Sequence, residues 1–190
     1  MNRRNALLAL PIWVLGIGTT SKSAAQDASA TDSASERELR DRFEYLSQNG
    51  NSNCSRAFLE SIATMSPEAR LQGSCCGPMS EHRYREQVGG LAKYTSITLI
   101  PPDPYDVQAG VAQQTMAWFA VELNVEEQVE YDYAMDNSAE QGPCCCQCWR
   151  WQVYGGLAKY LIRQHDFTGE QIAEIWDLSD GCGGDDHIHS

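Results

Sequence analysis

Gly155-Gly156-Leu157-Ala158-Lys159-Tyr160 repeats, letter for letter, an earlier run, Gly89-Gly90-Leu91-Ala92-Lys93-Tyr94. Six identities in succession in a chain of 190 residues mark an internal repeat. Each copy follows a cysteine-bearing loop and precedes a further helix that starts near an aspartate, Asp103 or Asp166. The repeating unit is therefore loop, helix, turn, helix. Two glycines inside a helix cost about 1 kcal/mol each relative to alanine, and close approach of two backbones is the usual compensation. The glycine pairs thus predict that the two repeat helices cross at Gly89-Gly90 and Gly155-Gly156. One sense of crossing brings the two cysteine loops together, and an antiparallel one puts them at opposite ends.

Helical spacing continues on either side of the repeat. Ser35-Glu36-Arg37-Glu38 has the form of a capping box ahead of Leu39, Phe43 and Leu46 at i, i+4 and i+7. A second helix is read over Ser55 to Met65, and Ser66-Pro67-Glu68 has the form of another start. Ser80 to about Tyr94 resumes as helix, while Tyr94 to Ile100 fits a short strand or a fraying helix end equally well. Asp103 with Pro104 predicts the start of a long helix through Val111, Met116, Phe119 and Leu123. The next helix aligns Val125, Val129 and Tyr133. Trp149 to Arg163 forms an aromatic-rich helix, and Thr168-Gly169-Glu170-Gln171 caps the last one. No stretch alternates convincingly, so the fold class is all-α, a small bundle of seven or eight short helices.

The ends of the chain read differently. Residues 1–25 combine a basic start, a short apolar run from Ala6 to Gly18 and the small residues Ser23-Ala24-Ala25, the pattern of a signal peptide. The apolar run is too short to span a bilayer. Arg3-Arg4 resembles the twin-arginine export signal of bacteria, an ordinary Sec signal being the competing reading. Residues 26–34 are read as a flexible tether, 35–183 as one cysteine-rich helical domain, and 184–190 as a disordered acidic tail carrying His187 and His189. The expected location is the bacterial periplasm, without stable membrane insertion once the signal is cleaved.

Of the 14 basic side chains, the signal would remove Arg3, Arg4 and Lys22, leaving eleven against 26 acidic ones. An excess of this size argues against nucleic acid and anionic lipid as partners, since both require a basic face.

The chemistry is concentrated in cysteine. Pro143-Cys144-Cys145-Cys146-Gln147-Cys148 holds four of the chain's eight cysteines, and Cys75-Cys76 and Cys182 hold three more. Adjacent cysteines point their Cβ atoms apart, so a run of three is poorly suited to independent local disulfides. Both main clusters precede a predicted helix, whose N-terminus favours the thiolate form. Crowded thiolates suit Cu(I), Zn(II) or an iron–sulfur cluster. Cu(I) accepts two or three sulfurs, whereas zinc prefers four ligands, for which Cys145, Cys148, Cys75 and Cys76 qualify. Cys54, Cys182 and His82 are further candidates, His82 because it falls opposite Cys148 in the repeat register, and Met79 is a soft ligand for copper. The metal set read from the sequence is Cys75, Cys76, Cys144, Cys145, Cys146, Cys148, Cys182 and His82.

The run Pro143 to Cys148 resembles the Pro-Cys-Tyr-Cys-Gly-Cys motif that names a family of exported bacterial proteins of unknown function. Pro143, Cys144, Cys146 and Cys148 match, Cys145 and Gln147 replace the family's Tyr and Gly, and Gly181-Cys182 resembles its later Gly-Cys element. The family's histidine after the motif is absent, since Trp149-Arg150-Trp151 stands there. The resemblance implies a small, exported, cysteine-rich protein with metal-binding capacity, and no activity. Cys75-Cys76-Gly77 resembles the Cys-Cys-Gly signature of heterodisulfide-reductase-type cluster domains, at different intervals from the other cysteines.

The expected function is binding, storage or delivery of copper or zinc, with a metal-donor or metal-acceptor protein as partner. A thiol–disulfide or iron–sulfur redox protein is one alternative. A disulfide-stapled structural or interaction module, consistent with an even cysteine count in an exported chain, is another. No Ser-His-Asp order, phosphate-cradling glycine loop or paired-carboxylate motif favours turnover.

Overall fold

The computed structural model describes residues 24–184, with side chains from Ser35 onward. The signal-peptide features in residues 1–23 and the tail carrying His187 and His189 lie outside the described residues. The chain divides into two units, Met1–Glu36 and Arg37–Ser190. In the first, what is described is helical backbone from Ala24. Residues 26–34, expected to form a tether, are thus the opening of α1 (Ala24–Asn49). Alanine at positions 24, 25, 28, 30 and 34 supplies the strongest intrinsic helix former.

The remaining elements are α2 (Arg56–Ile62), β1 (Arg70–Gln72), α3 (Glu81–Leu91) running into a 3₁₀ turn (Ala92–Tyr94), β2 (Asp106–Gln108), α4 (Ala109–Phe119), α5 (Val125–Asn137), α6 (Trp149–His165) and α7 (Gly169–Ser179). The architecture is a small all-α bundle with one two-stranded antiparallel ribbon, β1 with β2, in which Leu71 faces Val107. Two predicted starts are therefore corrected. Ser66-Pro67 makes a turn into β1, with Ala69 N–H donating to the Ser66 carbonyl at 2.9 Å. Asp103 does not cap a helix. Its carboxylate accepts from Tyr105 N–H at 2.9 Å, from Tyr84 Oη at 2.9 Å and from Arg42 Nε at 3.0 Å. With Asp103 engaged elsewhere, α4 begins only at Ala109.

The central element is α6, ten of whose seventeen residues are buried, so its apolar surface runs almost all the way round. Val153, Leu157 and Leu161 are fully buried, each worth roughly 1.5–3 kcal/mol of transfer free energy. The predicted crossing of the two glycine pairs is not observed. Gly156 lies against the Thr115 carbonyl and Phe119 N–H of α4, so α4 and α6 form the close backbone contact. Gly90 faces the Leu178 side chain on α7, and Gly89 is exposed with nothing within 4 Å of where a Cβ would stand.

Local chemistry fixes the other ends. Asn124 with Glu127, and Thr168 with Gln171, form reciprocal capping boxes at α5 and α7. Of the α1 stripe, Leu46 is buried with Tyr84 and Tyr105, with Leu39 and Phe43 packed alongside. The stripe on α5 goes the other way: Val125, Val129 and Tyr133 are exposed, and α5 packs instead through Ala134, Tyr131 and Met135.

Candidate metal centre

Four loops meet at the N-terminal end of α6. They are the segment before α2 carrying Cys54, the segment between β1 and α3 carrying Cys75 and Cys76, the run Cys144 to Cys148, and the segment after α7 carrying Cys182. The β1–α3 loop and the loop after α7 are fastened through their backbones. Cys75 N–H donates to the Gly181 carbonyl at 3.2 Å, Gly77 N–H to the Cys182 carbonyl at 2.8 Å and Gly184 N–H to the Pro78 carbonyl at 2.7 Å. Ser74 Oγ adds a bond to the Cys182 carbonyl at 2.7 Å. The Cys54 loop is tied to α6 by Trp149, whose indole N–H donates to Ser52 Oγ at 3.0 Å. Trp149 and Tyr154 are fully buried behind the cysteine run, as the aromatic-rich reading of α6 predicted.

All eight sulfurs are joined in one network. Cys54 stands 3.0 Å from Cys76 and 3.5 Å from Cys146. Cys75 stands 3.8 Å from Cys76 and 4.0 Å from Cys182. Cys182 stands 3.2 Å from Cys144 and 2.9 Å from Cys145, and Cys144 stands 3.8 Å from Cys148. All eight are free, none at disulfide-bonding distance from another. Ligands about 2.3 Å from a tetrahedral zinc stand about 3.8 Å apart, a spacing these contacts bracket. An iron–sulfur cluster interposes its own irons and sulfides and so spreads its thiolate ligands further.

The seven cysteines predicted as ligands are brought together, and Cys54 joins them. Its inclusion was hidden because it stands alone in sequence, with no neighbouring cysteine to mark it. His82 does not join. It is exposed on α3, its Nε2 paired with Glu86 at 3.2 Å. Met79 packs with the Leu46–Tyr84–Tyr105 cluster rather than with the sulfurs. Asp180 lies within 4.8 Å of Cys144 and Cys182 and offers one carboxylate oxygen.

The electrostatics of the site are uneven. Cys75 is held far below the ordinary thiol range because Cys144, Cys148 and Cys182 donate to its sulfur, with Arg150 adding attraction. Cys144 is drawn down to about 7 by Cys148 and Cys182. Cys148 and Cys182 are raised because each faces the negative sulfurs of Cys144 and Cys75. Burial pushes Cys54 up to about 12 and raises Cys76 and Cys145 as well. Two sulfurs thus carry negative charge most readily while their neighbours keep protons and donate. Ionising the whole set requires cations among the sulfurs.

Arg150 supplies a fixed positive charge beneath the loops. It is fully buried on α6, with Nη1 donating to the Pro104 carbonyl at 2.6 Å and Nη2 to the Gly73 carbonyl at 3.2 Å. Its guanidinium lies 4.5 Å from the Trp149 ring centroid and in contact with Gly181, where no side chain would fit. Burial opposes its charge, but Tyr154, Cys75 and Cys144 hold its pKa above the ordinary arginine value. An arginine in an aromatic helix reads as surface, so its role was not visible in the sequence.

Eight clustered cysteines of this kind could hold a metal ion. No described helix is long and apolar enough to cross a membrane. Comparison with protein-family models, with curated proteins and with solved structures gives no match to this chain.

Proposed function

We propose that this is an exported protein that binds copper or zinc through thiolates, for storage or delivery rather than turnover. The observation that carries the reading is the continuous contact of eight free sulfurs, 2.9–4.0 Å apart, at the meeting of four loops. A set of thiols whose mutual repulsion opposes full ionisation is relieved by a soft cation, which displaces their protons. Cys76 and Cys145 are exposed, which supports exchange of an ion with a donor or acceptor protein. The twin-arginine-like start supports export in the folded state, so that an ion is loaded before the thiols meet an oxidising compartment.

Elemental analysis of the protein purified from a periplasmic extract tests the reading, alongside titration of free thiols under denaturant with and without reductant. Stoichiometric copper or zinc with titratable thiols is the expected result. Metal-free protein whose thiols appear only after reduction would replace this reading with the disulfide-stapled module, and bound iron with sulfide would replace it with the redox alternative.

A further inference from the structure

The all-sulfur groups at the centre share corners instead of standing side by side. Cys54, Cys146 and Cys148 lie within 4.8 Å of one another, as do Cys54, Cys75 and Cys76. The same holds for Cys76, Cys145 and Cys182, and for Cys144, Cys145 and Cys146. The first group shares Cys54 with the second, the second shares Cys76 with the third, the third shares Cys145 with the fourth, and the fourth returns to the first through Cys146. The circuit closes and uses every cysteine in the chain. Four of them belong to two groups and four belong to one.

We infer that the eight cysteines hold four Cu(I) ions in a closed ring, one ion in each three-sulfur group. Cys54, Cys76, Cys145 and Cys146 bridge adjacent ions, and Cys75, Cys144, Cys148 and Cys182 each serve one ion. This inference rests on the metal-binding reading above. A thiolate has lone pairs enough to bridge two soft ions, and three sulfurs suit Cu(I), whereas zinc in each group would lack its fourth ligand. Asp180 completes such a set only beside Cys144 and Cys182. The four bridging sulfurs are the exposed or half-buried ones, while three of the four terminal sulfurs are buried. Loading leaves copper as Cu(I) and sends eight thiol protons to solvent. Eight thiolates with four monovalent cations carry four net negative charges, and the buried guanidinium of Arg150, attracted to Cys75 and Cys144, compensates one of them.

The test is an anaerobic titration of the reduced, metal-free full chain with Cu(I) buffered by bicinchoninate, followed by native mass spectrometry. The expected result is four copper ions taken up together, with species holding one to three ions sparse. Cys76→Ser and Cys145→Ser, at exposed positions, each open the ring at a bridge and weaken two groups at once. Partly filled species then become prominent, and affinity falls at least about tenfold. Cys75→Ser weakens a single group and leaves three ions bound. Far-UV circular dichroism like that of the parent shows that the variants fold. Copper bound one ion at a time, fewer than four ions, or zinc held in place of copper overturns the ring and leaves the metal-binding reading standing. Retention of neither metal overturns both.

Discussion

The two copies of Gly-Gly-Leu-Ala-Lys-Tyr share every atom of their sequence and almost none of their surroundings. In α6 the run lies mid-helix, with Gly155, Gly156, Leu157 and Ala158 buried against α4. In α3 the same letters end the helix: Gly89 is exposed, the α-helix stops at Leu91, and Ala92 to Tyr94 tighten into a 3₁₀ turn. The residues that follow account for the difference. Leu161-Ile162-Arg163 continues the first pattern, whereas Thr95-Ser96-Ile97-Thr98 leads into Pro101-Pro102, with β-branched residues and prolines that end helices. A repeat in sequence therefore conserved a supersecondary unit and one end of it, the cysteine loop, but not the packing face.

That contrast can be broken most forcefully at the glycines. Gly156→Ala sets a methyl group on the Thr115 carbonyl of a neighbouring backbone and is expected to destabilise by about 3 kcal/mol or more. Its counterpart Gly90→Ala meets the mobile end of Leu178, at a cost of about 1 kcal/mol. Gly89→Ala, with nothing within 4 Å, is expected to stabilise by about 0.5–1 kcal/mol. Urea unfolding of the reduced, metal-free protein measures all three, and equal losses at both copies would erase the distinction.

A second test uses the ligand register. Cys148→Ser is expected to lower copper or zinc affinity at least about tenfold, whereas His82→Ala at the matching position leaves metal content unchanged. The same binding measured against pH sharpens the result. Most of these thiols keep their protons more firmly than ordinary cysteines, so metal must displace them, and affinity should fall as pH falls.

Smaller effects separate the two lysines. Lys159 Nζ donates to the Phe119 and Val121 carbonyls at 2.7 Å each, just past the end of α4, and Lys159→Met should cost about 1–2 kcal/mol. Lys93 pairs with Glu174 at the surface, and Lys93→Met should leave the melting temperature nearly unmoved. Smallest of all is the acid limb of stability. Glu174 is held below the ordinary carboxylate range by Lys93 and then by Tyr94. Its contribution is present above that range and lost as pH falls through the folded value, so Glu174→Gln should slightly flatten the acid limb of a melting curve.

What the chain disclosed in advance follows the range of the forces concerned. The capping boxes at Asn124 and Thr168 were legible because cap and partner stand three residues apart. The β1–β2 ribbon was not, since three-residue strands carry too little alternation and Arg70 finds Gln108 across α3. The exposure of Val125, Val129 and Tyr133 was hidden because periodicity names a face without saying what covers it. At the site, two crowded cysteine loops announced thiolate chemistry. The isolated Cys54, the buried Arg150 and the absence of His82 from the sulfurs depended on tertiary placement.

The four loops at the head of α6 come from widely separated parts of the chain, so any cation shared among their sulfurs acts as a reversible cross-link. A loaded molecule must either shed its cargo before it opens or open while still tethered at one pole. Its lifetime against heat or proteolysis then becomes a clock set by ion dissociation, and a receiving protein that strips the metal also loosens the carrier.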